Sequence, residues 1–122
     1  MIEIRRVYDE KRRSGGYRVL VDRIWPRGLK KDDVKPDLWL RDIAPSSELR
    51  KWFGHEPEKW QEFKERYFRE LKARREDVQE LLEHESKGKL ILLFGAKDTE
   101  HNNAVALKEY LEGRRRRSRK AA

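Results

Sequence analysis

Two short stretches of this 122-residue chain gather the side chains that could do chemistry. The first, Gly95-Ala96-Lys97-Asp98-Thr99-Glu100-His101-Asn102-Asn103, follows the apolar run Leu90-Ile91-Leu92-Leu93-Phe94. The second, Asp22-Arg23-Ile24-Trp25-Pro26-Arg27-Gly28, follows Tyr17-Arg18-Val19-Leu20-Val21. In open α/β sheets, ligands bind where strands end and helices begin, because free backbone N–H groups gather there. Asp22, at a strand end, could act as a base or hold a cation, and could equally pair with Arg23 or Arg27. Arg23 and Arg27 flank Trp25; paired guanidinium donors beside an indole face suit phosphate or carboxylate, or a purely structural stack.

His101 in the first turn of a helix suits a neutral acid–base or hydrogen-bonding role. Asp98 reads equally as that helix's cap. The chain's only two asparagines, Asn102 and Asn103, adjoin it, either to meet a ligand or to favour the helix start. Ser46, Arg50 and His55 offer a third wall, with Ser46 favoured as an N-cap. Asp22 and His101 are thus the catalytic candidates. Arg23, Trp25, Arg27, Ser46, Arg50, His55, Lys97, Asp98, Asn102 and Asn103 are the binding candidates. No metal is expected, since His55, His101 and the aspartates lack ligand spacing. A phosphate-binding Walker loop, a dinucleotide glycine fingerprint and a G-x-S-x-G elbow are all missing from the sequence.

The elements that must position these residues follow from periodicity. Ile2 and Ile4 alternate with Glu3 and Arg5, the signature of a half-buried strand; 17–22 and 90–94 are further strands, and Leu38-Trp39-Leu40 a short one. Leu29 to Asp37 reads as a polar connector. A short helix runs from Ser46 or Ser47 to Phe53 and stops at Gly54. Trp60, Phe63, Tyr67 and Leu71 recur at helical spacing and predict a buried stripe. Val78, Leu81 and Leu82 mark another helix. The last begins at Asp98 or Thr99, turns Ala104, Leu107, Tyr110 and Leu111 inward, and closes at Gly113. Strands separated by helices predict an α/β fold, a small three-layer sandwich with a mostly parallel sheet. The loops after Asp22 and Phe94 should then face each other across one crevice.

The totals bound the class. The chain suffices for a single domain, expected over 1–113. Six of its eight excess positive charges lie in Arg114-Arg115-Arg116-Arg117-Ser118-Arg119-Lys120, so 114–122 is expected to be a disordered basic tail. The remaining body, with 25 basic and 23 acidic residues, is nearly balanced and offers no basic face for duplex DNA. No apolar run reaches the ~20 residues of a membrane span and the N-terminus lacks a signal pattern, so a cytoplasmic location is expected. The absence of cysteine excludes disulfides and thiolate chemistry. The 44% of charged residues and scarcity of thermolabile types suggest a thermophilic source.

Val19-Leu20-Val21-Asp22-Arg23-Ile24-Trp25-Pro26-Arg27-Gly28 closely resembles the YeaO-like family, a bacterial and archaeal group of domains of unknown function. The resemblance continues through Ala44-Pro45-Ser46, Leu49-Arg50-Lys51-Trp52-Phe53-Gly54-His55, Trp60, Phe63, Tyr67, Ala96-Lys97-Asp98 and His101-Asn102-Asn103-Ala104, spanning about Arg5 to Leu111. It implies a small α/β fold with a partly parallel sheet, and no established activity. A related branch carries a cysteine and a Cys-His-Arg group after the last strand. This chain has Phe94, Gly95 and His101-Asn102 there, so thiol chemistry does not carry over.

The leading functional expectation is a domain that binds, or acts on, a small anionic or nucleotide-like ligand between the two loops; its cofactor and oligomeric state stay open. The alternatives are a nucleic-acid-associated protein using the basic tail and a non-catalytic interaction module.

Overall fold

The computed structural model describes residues 1–9 and 15–121, with side chains as far as Arg116. At its centre is a four-stranded sheet in the order β1-β4-β2-β3, where β1 is Ile2–Arg6, β2 Tyr17–Leu20, β3 Leu38–Trp39 and β4 Leu90–Phe94. All three strand pairings are parallel. β4 is flanked on both edges and covered on both faces, so all five of its residues are buried. That is why it reads as an unbroken apolar run, while the edge strand β1 alternates.

Side chains divide by parity between two cores. Val19, Val21, Leu90, Leu92 and Phe94 pack against the helices α2 (Ser47–Phe53), α3 (Trp60–Lys72), α4 (Arg75–Lys87) and α5 (Asn103–Ala121). Leu20, Ile91 and Leu93 face the other way, onto Val7 and Val34 with Trp25, Leu29 and Trp39. This third layer is thin: its helix α1, Lys31–Val34, is a single turn within the segment expected to be a polar connector. Arg18, on the same face and buried, donates from Nη1 to the carbonyls of Val34 (2.7 Å) and Lys35 (2.6 Å), closing the end of α1.

The aromatic stripe of α3 is core, as its spacing predicts. Phe63, Tyr67 and Leu71 are buried, and Trp60 is half-buried and stacked on Phe63. Tyr67 donates its hydroxyl to the Ile43 carbonyl at 2.6 Å, and burial pushes its phenol far above the ordinary tyrosine range. α2 ends as its sequence requires, with Gly54 in the left-handed region at φ 54° donating to the Arg50 carbonyl.

Two boundaries differ from expectation. The last helix starts at Asn103, because Asp98 first closes a separate turn. It also runs through Gly113 to Ala121, and Arg115 pairs with Glu85 of α4. A helical glycine costs only about 1 kcal/mol, and the arginines that follow are good helix formers. The helix thus continues into the basic segment as far as Ala121. Among the described residues, no helix is long and apolar enough to cross a membrane.

Candidate functional site

The site begins with strand register. Leu20 lies opposite Leu93 in the parallel β2–β4 pair, and the Val21 N–H donates to the Leu93 carbonyl, so both strands release their chains together. Asp22 then bridges the two exits. Its Oδ2 accepts from the Gly95 N–H at 2.8 Å, and its Oδ1 from the Asn103 amide at 3.0 Å. The same Asn103 amide donates to the Val21 carbonyl at 2.9 Å. A Cβ on residue 95 would stand 3.2 Å from Asp22 Oδ2, which is why glycine fits here. Burial pushes the Asp22 carboxyl above its ordinary value, opposed by the bonds from Asn103 and Gly95 and by the field of Arg50.

Asp22 lines a crevice of about 270 Å³ beyond the strand ends. Arg23 and Ile24 enter from the first loop, and Ala96, His101, Asn102 and Asn103 from the second. The opposite wall is Ala44, Pro45, Arg50, Phe53, His55 and Phe63. His55 is held at φ 58°, a left-handed conformation unusual for a side-chain-bearing residue. The two arginines are under-satisfied. Arg23 Nη2 reaches the Ala44 carbonyl only at 3.4 Å and Nη1 lies 3.9 Å from Asp42, while Arg50 Nη2 meets Ser47 Oγ at 3.2 Å. In both, the Nε atom is buried with no hydrogen-bond partner.

His101 is fixed by Asp98. Asp98 Oδ1 accepts from the backbone N–H of Glu100 (2.9 Å) and of His101 (3.0 Å), and Oδ2 lies 2.9 Å from His101 Nδ1. The Glu100 N–H, followed by the His101 ring, holds the Asp98 carboxyl below its ordinary value. With Asp98 ionised, the ring proton belongs on Nδ1 and Nε2 is the nitrogen left for a ligand. The ring stands edge-on to Trp60. His101 lies ahead of α5, not in its first turn as expected from sequence.

Of the residues singled out from sequence, Asp22, Arg23, Arg50, His55, His101, Asn102 and Asn103 line this crevice. Five do not. Trp25 turns to the opposite face of the sheet, donating Nε1 to the Leu29 carbonyl and packing edge-on against Trp39, just before the turn in which the Pro26 carbonyl accepts from the Leu29 N–H. Arg27 is exposed, its carbonyl accepting from the Tyr8 hydroxyl. Lys97 is exposed and Asp98 serves the turn. Ser46 is the N-cap of α2, accepting from the Leu49 N–H and donating to Glu70 Oε2 at 2.6 Å.

Asn102, 4% exposed, accepts from the Val105 N–H and so caps α5, occupying one of the donors expected to meet an anion. For an anion at the last helix start with Lys97 and Arg23 or Arg27 as counter-charges, Arg23 lines the crevice while Lys97 and Arg27 are exposed. Ala44, Phe53 and Phe63 also line the crevice, although in sequence Ala44 marks only a chain stop and the two phenylalanines only helix core. Among the described residues no group of three His, Asp or Glu side chains could hold a metal ion.

A parallel-sheet α/β domain with a small, charged crevice beyond its strand ends defines the class. The chain belongs to the family described as the inactive DUF488-N3 subclade, which matches residues 1–122, and is thus a YeaO-like domain of unknown function. It is 44% identical over 110 residues to the uncharacterised protein YeaO of Escherichia coli K12, covering 90% of this chain and 96% of that one. It is 50% identical over 70 residues to an uncharacterised protein of Mycobacterium tuberculosis H37Rv and to one of Mycobacterium bovis, covering 57% of this chain and 59% of each. No solved structure matches the chain.

Proposed function

We propose that the chain is a binding domain that holds a small anionic ligand in the crevice between the loops after Asp22 and Phe94. One observation carries this reading: Arg23 and Arg50 both line the crevice, and among the described residues each guanidinium head makes a single hydrogen bond, at 3.4 Å to the Ala44 carbonyl and at 3.2 Å to Ser47 Oγ. Guanidinium N–H groups left over at a cavity wall are donors that suit a carboxylate or phosphate. The place agrees with the rule that open α/β sheets bind ligands beyond the carboxyl ends of their strands. A volume of about 270 Å³ lies just below the usual range for ligand pockets, which favours a small carboxylate or phosphate over a whole nucleotide. Binding without turnover fits the description of the subclade as inactive, and Asp22 is already engaged by Gly95 and Asn103.

Thermal shifts with acetate and inorganic phosphate test the reading. Either anion at one hundred times its dissociation constant should stabilise the parent by about 2.7 kcal/mol, and Arg50→Met and Arg23→Met should lose most of that gain. Equal stabilisation of parent and variants would place the anion elsewhere. A second reading, polyanion binding through residues 114–121, draws on the continuation of α5 into that basic segment. It predicts affinity for single-stranded RNA that falls steeply with salt and disappears on truncation after Gly113. Salt-insensitive binding would contradict it.

A further inference from the structure

We infer, building on the anion-binding reading, that the ligand is a small zwitterion of the amino-acid type, its carboxylate at Arg50 and Arg23 and its ammonium at Asp22. The crevice carries both signs of charge and keeps them apart. Arg50 lies near enough to act electrostatically on the Asp22 carboxyl, yet no ion pair joins the two among the described residues. Each is fixed from its own side. Asp22 is held by Gly95 and Asn103 of the second loop, while Arg50 projects from α2 with its Nη2 on Ser47. Opposite charges anchored separately across a cavity leave a gap that a dipolar molecule fits.

Hydrogen-bonding capacity points the same way. Each Asp22 oxygen accepts one bond, leaving a lone pair on both for a further donor. Across from Asp22, Arg23 and Arg50 each bond through Nη2 alone among the described residues, which leaves terminal N–H groups for an acceptor. A ligand must therefore offer acceptors at one end and donors at the other. The charges nearly cancel as well: Arg23 has Asp42 at 3.9 Å, and Arg50 is balanced by Asp22. A ligand with no net charge suits such a site better than phosphate, which would face the Asp22 carboxylate. The remaining wall is apolar, formed by Ala44, Pro45, Phe53 and Phe63. The crevice has the volume of about nine waters, enough for a compact aliphatic side chain between the charged ends.

Three probes of matched shape separate the possibilities on the full chain by calorimetric titration: L-leucine, 4-methylpentanoate without the ammonium, and 3-methylbutylamine without the carboxylate. Leucine should bind at least tenfold more tightly than either analogue, and Asp22→Asn should narrow its lead over the acid. Equal binding of leucine and 4-methylpentanoate would overturn this inference and leave the anion reading standing. The amine as best ligand, or no binding by leucine or the acid at millimolar concentration, would overturn both. The comparison on the parent chain decides even if Asp22→Asn does not fold.

Discussion

Replacing Arg50 by methionine should leave the fold about as stable as before, whereas the same change at Arg18 should damage it. Both are arginines on a layer of the core, but their hydrogen bonding differs. Arg18 Nη1 satisfies two carbonyls at the end of α1, those of Val34 and Lys35. Its removal strands the buried Val34 carbonyl and leaves that of Lys35 to solvent, so Arg18→Met should cost about 1–3 kcal/mol or more. Arg50 makes one exposed bond to Ser47 Oγ at 3.2 Å and buries an Nε–H with no acceptor. Methionine keeps the apolar stem beside Phe53 and removes that donor. The loss, which includes the Arg50 field at Asp22, and the relief nearly cancel, leaving a change within about 1 kcal/mol. Urea unfolding in a buffer free of phosphate and carboxylates measures both variants against the parent. A loss above about 1 kcal/mol in Arg50→Met would mean that the guanidinium is satisfied within the fold, and would remove the ground for an anion site.

Three further outcomes follow from the same geometry. Gly95→Ala should cost about 1–3 kcal/mol in thermal unfolding, because the new methyl crowds Asp22 Oδ2 at 3.2 Å; a neutral result would show that the Asp22 bridge is loose. Tyr67→Phe should cost about 1–3 kcal/mol by stranding the buried Ile43 carbonyl, and unchanged stability would contradict the bond. Asp22 has its folded pKa above the ordinary value, so its contribution to stability is fully present below the unfolded pKa and is lost as pH rises through the folded one. Parent stability relative to Asp22→Asn should therefore fall as pH rises through that window; a rise instead would mean that hydrogen bonds outweigh burial.

Much of the scaffold was legible because burial wrote it into the sequence. The run from Leu90 to Phe94 is apolar throughout because β4 is covered on both faces, and Phe63, Tyr67 and Leu71 repeat because α3 packs by one stripe. The meeting of the two loops followed from parallel pairing alone, and Asp22 with Gly95 and Asn103 realises it. What stayed hidden depends on where backbones turn. Trp25 joins the core on the opposite face and Arg27 is exposed, and nothing in the spacing of DRIWPRG gives those directions. Asp98 was readable as a cap, but the turn it closes delays the helix to Asn103, which moves His101 out of the first helical turn. The orphaned Nε atoms of Arg23 and Arg50 arise from tertiary geometry and leave no mark in sequence.

The central claim is that these two guanidinium groups receive an anion. Nitrogen-15 NMR of the arginine Nε–H resonances during titration with acetate and with L-leucine reads those atoms directly. Saturable shifts of Arg23 and Arg50 Nε, together with the Gly95 and Asn103 amides, are the result expected here. Shifts confined to the arginines of the α5 extension, or none at Arg23 and Arg50, would contradict it.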